Sequence, residues 1–161
     1  MIRFVRVLDV ERSLPQVAAY LADFTHAERW DPGIRACRRL GFGPVGEGSR
    51  WRSTTRLRGR TAHLTYVLVH SEPDRLVFAG HNEVVSTVSD LRLEAVDGGT
   101  TRITYAATVR LRGAARLTEP LLARDVRQLG DQITYTLPTA LLIALPSPAA
   151  AAPLGTLPRR R

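Results

Sequence analysis

The sequence predicts an α+β fold: one curved, seven-stranded antiparallel sheet wrapped around a single long helix near the C-terminus. Three observations predict it. A lone apolar strand at the start is followed by two very short helices, broken in the middle and closed by Trp30-Asp31-Pro32-Gly33. Residues 34 to 112 then read as successive strands separated by tight turn signals. From Ala114 onward the hydrophobic period lengthens from two residues to between three and four.

Residues 2–10 are β-branched and apolar and read as the first strand. Ser13 offers an N-cap, and Pro15 falls in the first helical turn, where a missing N–H costs nothing. Val17, Ala18, Tyr20 and Leu21 give that helix its apolar face. Asp23 or Thr25 caps a second short piece ending near Trp30, where Asp31-Pro32-Gly33 stops it. Strands follow at 34–42, 49–58, 60–71, 75–82, 86–96 and 100–112. Gly43–Gly48 forms a loop, Gly59 a break, Glu72-Pro73-Asp74 one hairpin turn and Asp97-Gly98-Gly99 another. Paired glycines supply the positive φ of a tight hairpin. In the last helix Leu122, Val126, Leu129, Ile133 and Leu137 line one face; Pro138 either kinks it before it resumes through Leu145 or ends it. The expected domain is 1–145, with 146–161 a Pro/Ala/Arg tail too poor in large apolar groups to order itself.

The chain has 161 residues, enough to bury a core without metals or disulfides. Cys37 is the only cysteine, so no intramolecular disulfide is possible. The opening run is interrupted by Arg3, Arg6 and Asp9 and reads as a strand, not a secretory leader. The apolar run from Ala140 to Leu145 is far short of the ~20 residues that span a bilayer. A cytoplasmic protein without an integral membrane segment is expected. The net charge is +8, carried by arginine with no lysine at all, which points to codon composition before nucleic acid. The arginines at 50, 52, 56, 58 and 60 form a stripe without interleaved exposed aromatics, so no nucleic-acid partner is expected.

Strand alternation assigns two faces. Ile103, Tyr105, Ala107, Val109 and Leu111 lie on one face of 100–112, with Arg102, Thr104, Thr108, Arg110 and Arg112 on the other. Leu91 and Leu93, then Leu64, Tyr66, Leu68, Leu76, Phe78 and Gly80, then Trp51, Ser53, Thr55 and Leu57 complete the inner set. Small and polar residues (Ser53, Thr55, Gly80, Asn82, Ser89, Ala107) thus sit among Trp51, Tyr66, Phe78 and Tyr105. Either they are satisfied locally near strand ends, or they line a ligand cavity; the mixture favours a cavity.

The order of elements resembles the helix-grip fold of the START-like superfamily, whose members include pollen-allergen-like proteins, aromatic polyketide cyclases and lipid carriers. Four stretches carry the resemblance over about residues 2–137: Tyr20-Leu21-Ala22-Asp23-Phe24 with Trp30-Asp31-Pro32-Gly33, Gly46-Glu47-Gly48-Ser49, Gly98-Gly99-Thr100-Thr101-Arg102-Ile103-Thr104-Tyr105, and Glu119-Pro120-Leu121-Leu122. They are similar to small bacterial polyketide cyclase/dehydrase-like proteins. The resemblance implies a hydrophobic pocket between sheet and last helix, gated by loops, in which a cyclase folds a reactive polyketone chain. The inner-face residues include no arginine, and no family catalytic set transfers residue by residue.

The chemistry is therefore assigned from the inner face. Tyr66 and Tyr105 are the candidate catalytic groups, as donors to a ligand carbonyl or weak acids; the competing reading is core tyrosines bonded to backbone. Trp51, Ser53, Thr55, Phe78, Asn82, Ser89, Leu129 and Ile133 are the expected ligand contacts. Trp30 anchors the second short helix. The four histidines lack metal-ligand spacing, and His63 and His81 face outward, so neither metal nor cofactor is expected. Cys37 reads as inert, although Arg35, Arg38 and Arg39 can lower its pKa. The expected partner is a small hydrophobic molecule (aromatic, polyketide-like or lipid), bound by a monomer or homodimer. The protein either cyclises or dehydrates it, or carries or senses it without chemistry.

Overall fold

The computed structural model describes residues 1–147. Strand β1 (Ile2–Val10) leads into α1 (Leu14–Ala22), a single 3₁₀ turn (Phe24–His26) and α2 (Ala27–Trp30). Six strands follow: β2 (Ile34–Leu40), β3 (Arg50–Leu57), β4 (Arg60–Glu72), β5 (Arg75–His81), β6 (Val85–Asp97) and β7 (Thr100–Leu111). A 3₁₀ segment (Gly113–Thr118) precedes the long helix α3 (Glu119–Ala144). All neighbours pair antiparallel in the order β1-β7-β6-β5-β4-β3-β2, so β2 to β7 form a meander and β1 returns beside β7. The helix-grip architecture read from the sequence is the one observed.

Local chemistry explains the elements. Gln16 Oε1 accepts from the Ser13 N–H (3.3 Å) and Ser13 Oγ (3.0 Å), closing the start of α1 beside Pro15. Asp23 Oδ1 caps the 3₁₀ turn by accepting from the Thr25 N–H at 3.0 Å. The β3–β4 hairpin turns on Arg58 and Gly59, both with positive φ (50° and 75°), as a two-residue primed turn requires. The alternation along 100–112 holds: Ile103, Tyr105, Ala107 and Leu111 are buried while Arg102 and Arg110 are exposed.

The C-terminal helical region opens in two steps. Residues 113–118 form a 3₁₀ segment, and the α-helix begins only at Glu119, with Pro120 in its first turn. Glu119 anchors that start: its carboxylate accepts from the Leu111 N–H (2.9 Å) and pairs with the N-terminal ammonium. Of the two readings at Pro138, continuation is the one observed: α3 runs through the proline to Ala144, held by buried Leu137, Ala140 and Leu141 on either side. Its C-terminal carbonyls find an unusual cap. Arg12, 8% exposed, donates to Leu142 O and Leu145 O, each at 3.0 Å, so a strand-end guanidinium satisfies orphan helix acceptors. The expected tail lies, from residue 148, outside the described residues.

The concave face of the sheet is filled unevenly. Toward β4–β5, Phe24 from the 3₁₀ turn lies over the sheet, its ring 4.4 Å from Tyr66, 4.6 Å from Phe78 and 6.2 Å from Trp51 between centroids. Toward β1 the sheet faces α3. There Gly130 lets the helix settle directly on the Phe4 ring, which an added Cβ would meet at 2.7 Å. Beside this contact the floor residues are small.

Candidate ligand cavity

A cavity of about 200 Å³ lies between the first half of α3 and the curved sheet. Its roof is Leu122, Val126, Leu129 and Ile133, one face of α3 at steps of three and four. Its floor is Ala107, Ser89 and Thr87, whose short side chains leave the volume open. Phe4, Leu64, Tyr66 and Tyr105 form the walls, with Asp31 and Gly33 at the end where α2 gives way to β2. Arg56, Leu57, Ala62 and Val85 form the outer rim, from the β3–β4 and β5–β6 hairpins. Beside that rim Arg58 Nε meets Asp125 Oδ2 of α3 at 2.5 Å, tying the hairpin to the helix.

The polar groups are few. Tyr105 Oη and Ser89 Oγ are hydrogen-bonded at 3.2 Å. The Tyr66 hydroxyl takes no protein partner among the described residues. Burial holds both phenols well above the usual tyrosine range, and the nearby Asp31 carboxyl pushes the same way. They are therefore hydrogen-bond donors at any ordinary pH and poor proton sources. Thr55 spends its hydroxyl on Ala62 O at 3.1 Å.

Asp31 is the exception. One oxygen, Oδ1, accepts from the Gly33 N–H at 2.9 Å, and no protein donor reaches Oδ2 among the described residues. Asp31 is half-buried, and it lines the cavity. Desolvation, only partly offset by the Gly33 hydrogen bond, pushes its pKa up to about 6.

The cavity brings together Thr55, Tyr66, Ser89, Tyr105, Leu129 and Ile133 from the sequence-based set. Four others lie elsewhere. Trp51 is fully buried under Phe24 and donates its indole N–H to Asp23 Oδ1 at 3.1 Å. Phe78 packs on the same Phe24 ring, and the Ser53 hydroxyl, also sealed, faces Leu64 O at 3.5 Å. Asn82 belongs to the β5–β6 turn: Oδ1 accepts from Val84 N and Val85 N (2.9 and 2.7 Å) and Nδ2 donates to His63 O (3.0 Å). Trp51, Ser53 and Phe78 face the concave side of the sheet, but the short helices cover that half of it; Asn82 lies outside the strands. Cys37 is buried and its thiol is pushed up to about 12 by desolvation and by Glu28, so the flanking arginines do not activate it. Asp31 was missed because Asp-Pro-Gly reads first as a helix stop. The available signal was a carboxylate where asparagine makes the same turn. Among the described residues no cluster of three metal-ligating side chains occurs, and no helix is long and apolar enough to cross a membrane.

Comparison with known proteins agrees with this architecture. The family model described as polyketide cyclase / dehydrase and lipid transport matches residues 1–137. The chain belongs to that family. No curated protein matches it in sequence. Among solved structures it is similar to a START superfamily protein from Mycobacterium smegmatis (12% identity, 89% of this chain and 99% of that one, TM-score 0.73). It is similar also to a Thermus thermophilus protein (14%, 90% and 99%, TM-score 0.69) and to the Zhui aromatase/cyclase of a Streptomyces species (16%, 87% and 90%, TM-score 0.66). At these identities the likeness is one of fold.

Proposed function

We propose that this family member binds a compact, neutral, hydrophobic molecule in the cavity under α3 and promotes cyclisation or dehydration of a polyketide-derived substrate there. The observation that supports it most is the pairing of an apolar enclosure with two phenol donors, Tyr66 and Tyr105, on adjoining walls. Phenols of this kind hold a carbonyl and stabilise the charge that grows on it as a neighbouring C–H bond weakens. The volume of about 200 Å³ is below the ~300–1,000 Å³ typical of drug-sized ligands. It suits one or two rings, so positioning a short reactive segment is the contribution asked of the protein. A non-enzymatic carrier or sensor is the second reading, favoured by the lack of any inward arginine, lysine or histidine on the wall. A cytoplasmic site fits the free, reduced Cys37.

Native mass spectrometry of the purified protein is expected to show a co-purified ligand. With an aromatic polyketone as substrate, Tyr66→Phe and Tyr105→Phe are each expected to lower turnover by about 10- to 100-fold. Unchanged turnover in both variants removes the donor roles. Ligand retention without any product on incubation favours the carrier.

A further inference from the structure

We propose that Asp31 is the proton-transferring group of the cavity and that the ligand it serves is a compact neutral ketone with an acidic C–H beside its carbonyl. The inference rests on the cavity reading above and adds to it a residue, a step and a ligand class.

The fold does not need a carboxylate at this position. The turn after α2 uses one side-chain oxygen, accepting from Gly33 N–H at 2.9 Å. Asparagine supplies that oxygen equally well and without charge. Placing an ionisable group in an apolar enclosure costs free energy that the turn does not recover. The second oxygen has no protein donor among the described residues, and the residue lines the cavity. A charge held against desolvation in a cleft, with one atom left uncommitted, is the arrangement expected of a working base.

The surroundings set the ligand class. The titratable groups that Asp31 acts on are Tyr66 of β4, Tyr105 of β7 and Cys37 of β2, all neutral at ordinary pH. Across the cavity α3 presents Leu129 and Ile133, and the cation nearest the ligand space, Arg56, is exposed at the rim. An anionic ligand would meet a carboxylate and no internal cation. A ketone meets two hydroxyl donors and a base.

In the step assigned, the Asp31 carboxylate takes a proton from the carbon beside the ligand carbonyl. The C–H electron pair becomes the double bond of an enolate, whose oxygen is held by a Tyr66 or Tyr105 hydroxyl. If the enolate carbon closes onto a second carbonyl of the same molecule, a C–C bond forms. The displaced π pair goes to oxygen, and that alkoxide takes the proton back from Asp31. Without a second carbonyl the proton returns to carbon, and the only trace is isotope exchange. The carboxylate is the working form, so the rate rises with pH through about 6.

The test uses the whole protein with 2-tetralone, a two-ring ketone, in D₂O. Binding is read by ligand-observed NMR and exchange by loss of the proton signals flanking the carbonyl. The wild type is expected to bind the probe and accelerate exchange over buffer, with a pH midpoint near 6. Asp31→Asn is expected to keep binding within about threefold and lose exchange by at least about tenfold. Binding without exchange, or equal exchange in both proteins, overturns the role of Asp31 and leaves the cavity reading standing. No binding overturns the cavity reading and this inference with it. A second readout needs no probe. Because the folded pKa of about 6 lies above the ordinary 3.8, the folded state binds the proton more tightly. Wild-type stability is therefore expected to fall relative to Asp31→Asn as pH rises from about 4 to above 6. A constant difference across that range contradicts a charged carboxyl in the cavity.

Discussion

Phe24→Ala is expected to destabilise the protein by about 3–5 kcal/mol, the largest effect of any single side chain considered. Phe24 is 2% exposed, and its ring meets four aromatic neighbours: Tyr66, Phe78, Trp51 and Trp30, the last at 6.3 Å between centroids. It comes from a three-residue 3₁₀ turn whose own hydrogen bonds cannot hold it in place. The ring is thus both the filling of one half of the concave face and the anchor of the short helices. Its removal leaves a void between two tryptophans that are themselves fixed, and such sites relax poorly. Urea denaturation monitored by tryptophan fluorescence measures the loss. A cost below about 1 kcal/mol would mean that this half of the sheet is not packed as described.

Gly130→Val is expected to cost about 2–3 kcal/mol although the position lies within a helix, where replacing glycine ordinarily helps. A Cβ at 130 would lie 2.7 and 2.8 Å from two carbons of the Phe4 ring. Phe4 cannot retreat toward the sheet: Tyr105 meets it edge-on at 5.6 Å, and the Arg6 guanidinium covers it at 5.5 Å. Arg6 is in turn bound to Asp131 of α3 at 2.8 Å. Either α3 lifts from β1, or Phe4 swings into the cavity. Gly130→Ala should show a smaller net cost, since about 1 kcal/mol of helix propensity offsets part of the clash. Thermal unfolding of the two variants checks the order; a valine variant as stable as the wild type would refute the close approach.

Much of the fold was legible because local signals agreed with the tertiary arrangement. The alternation of Ile103, Tyr105, Ala107 and Leu111 named the inner face correctly, and Asp97-Gly98-Gly99 placed the final hairpin. The steps Leu122, Val126, Leu129 and Ile133 mark the apolar face of α3, and that face roofs the cavity. What was not legible depended on contacts distant in sequence. Trp51 and Phe78 point inward as expected, yet Phe24, more than 25 residues before Trp51, covers them. The start of α3 is anchored by Glu119 binding Leu111 and the chain terminus, a tertiary tie that periodicity does not report. Asp31 hid inside a turn motif because a turn and a cavity wall use the same side chain, one oxygen each.

Ligand binding requires the space beneath α3, and Ala107 offers the most direct measurement of it. Ala107 is 4% exposed, sits in the floor, and lies across from Phe4 on β1 and Ser89 on β6. Ala107→Leu adds bulk where the structure has room, so it fills the cavity without displacing the packed half. Calorimetric titration with 2-tetralone should show one site per chain in the wild type. Affinity should fall by at least about tenfold in the variant, with an unfolding midpoint equal or higher. Equal affinity in the two proteins, or no binding to either, would contradict a ligand-accepting cavity.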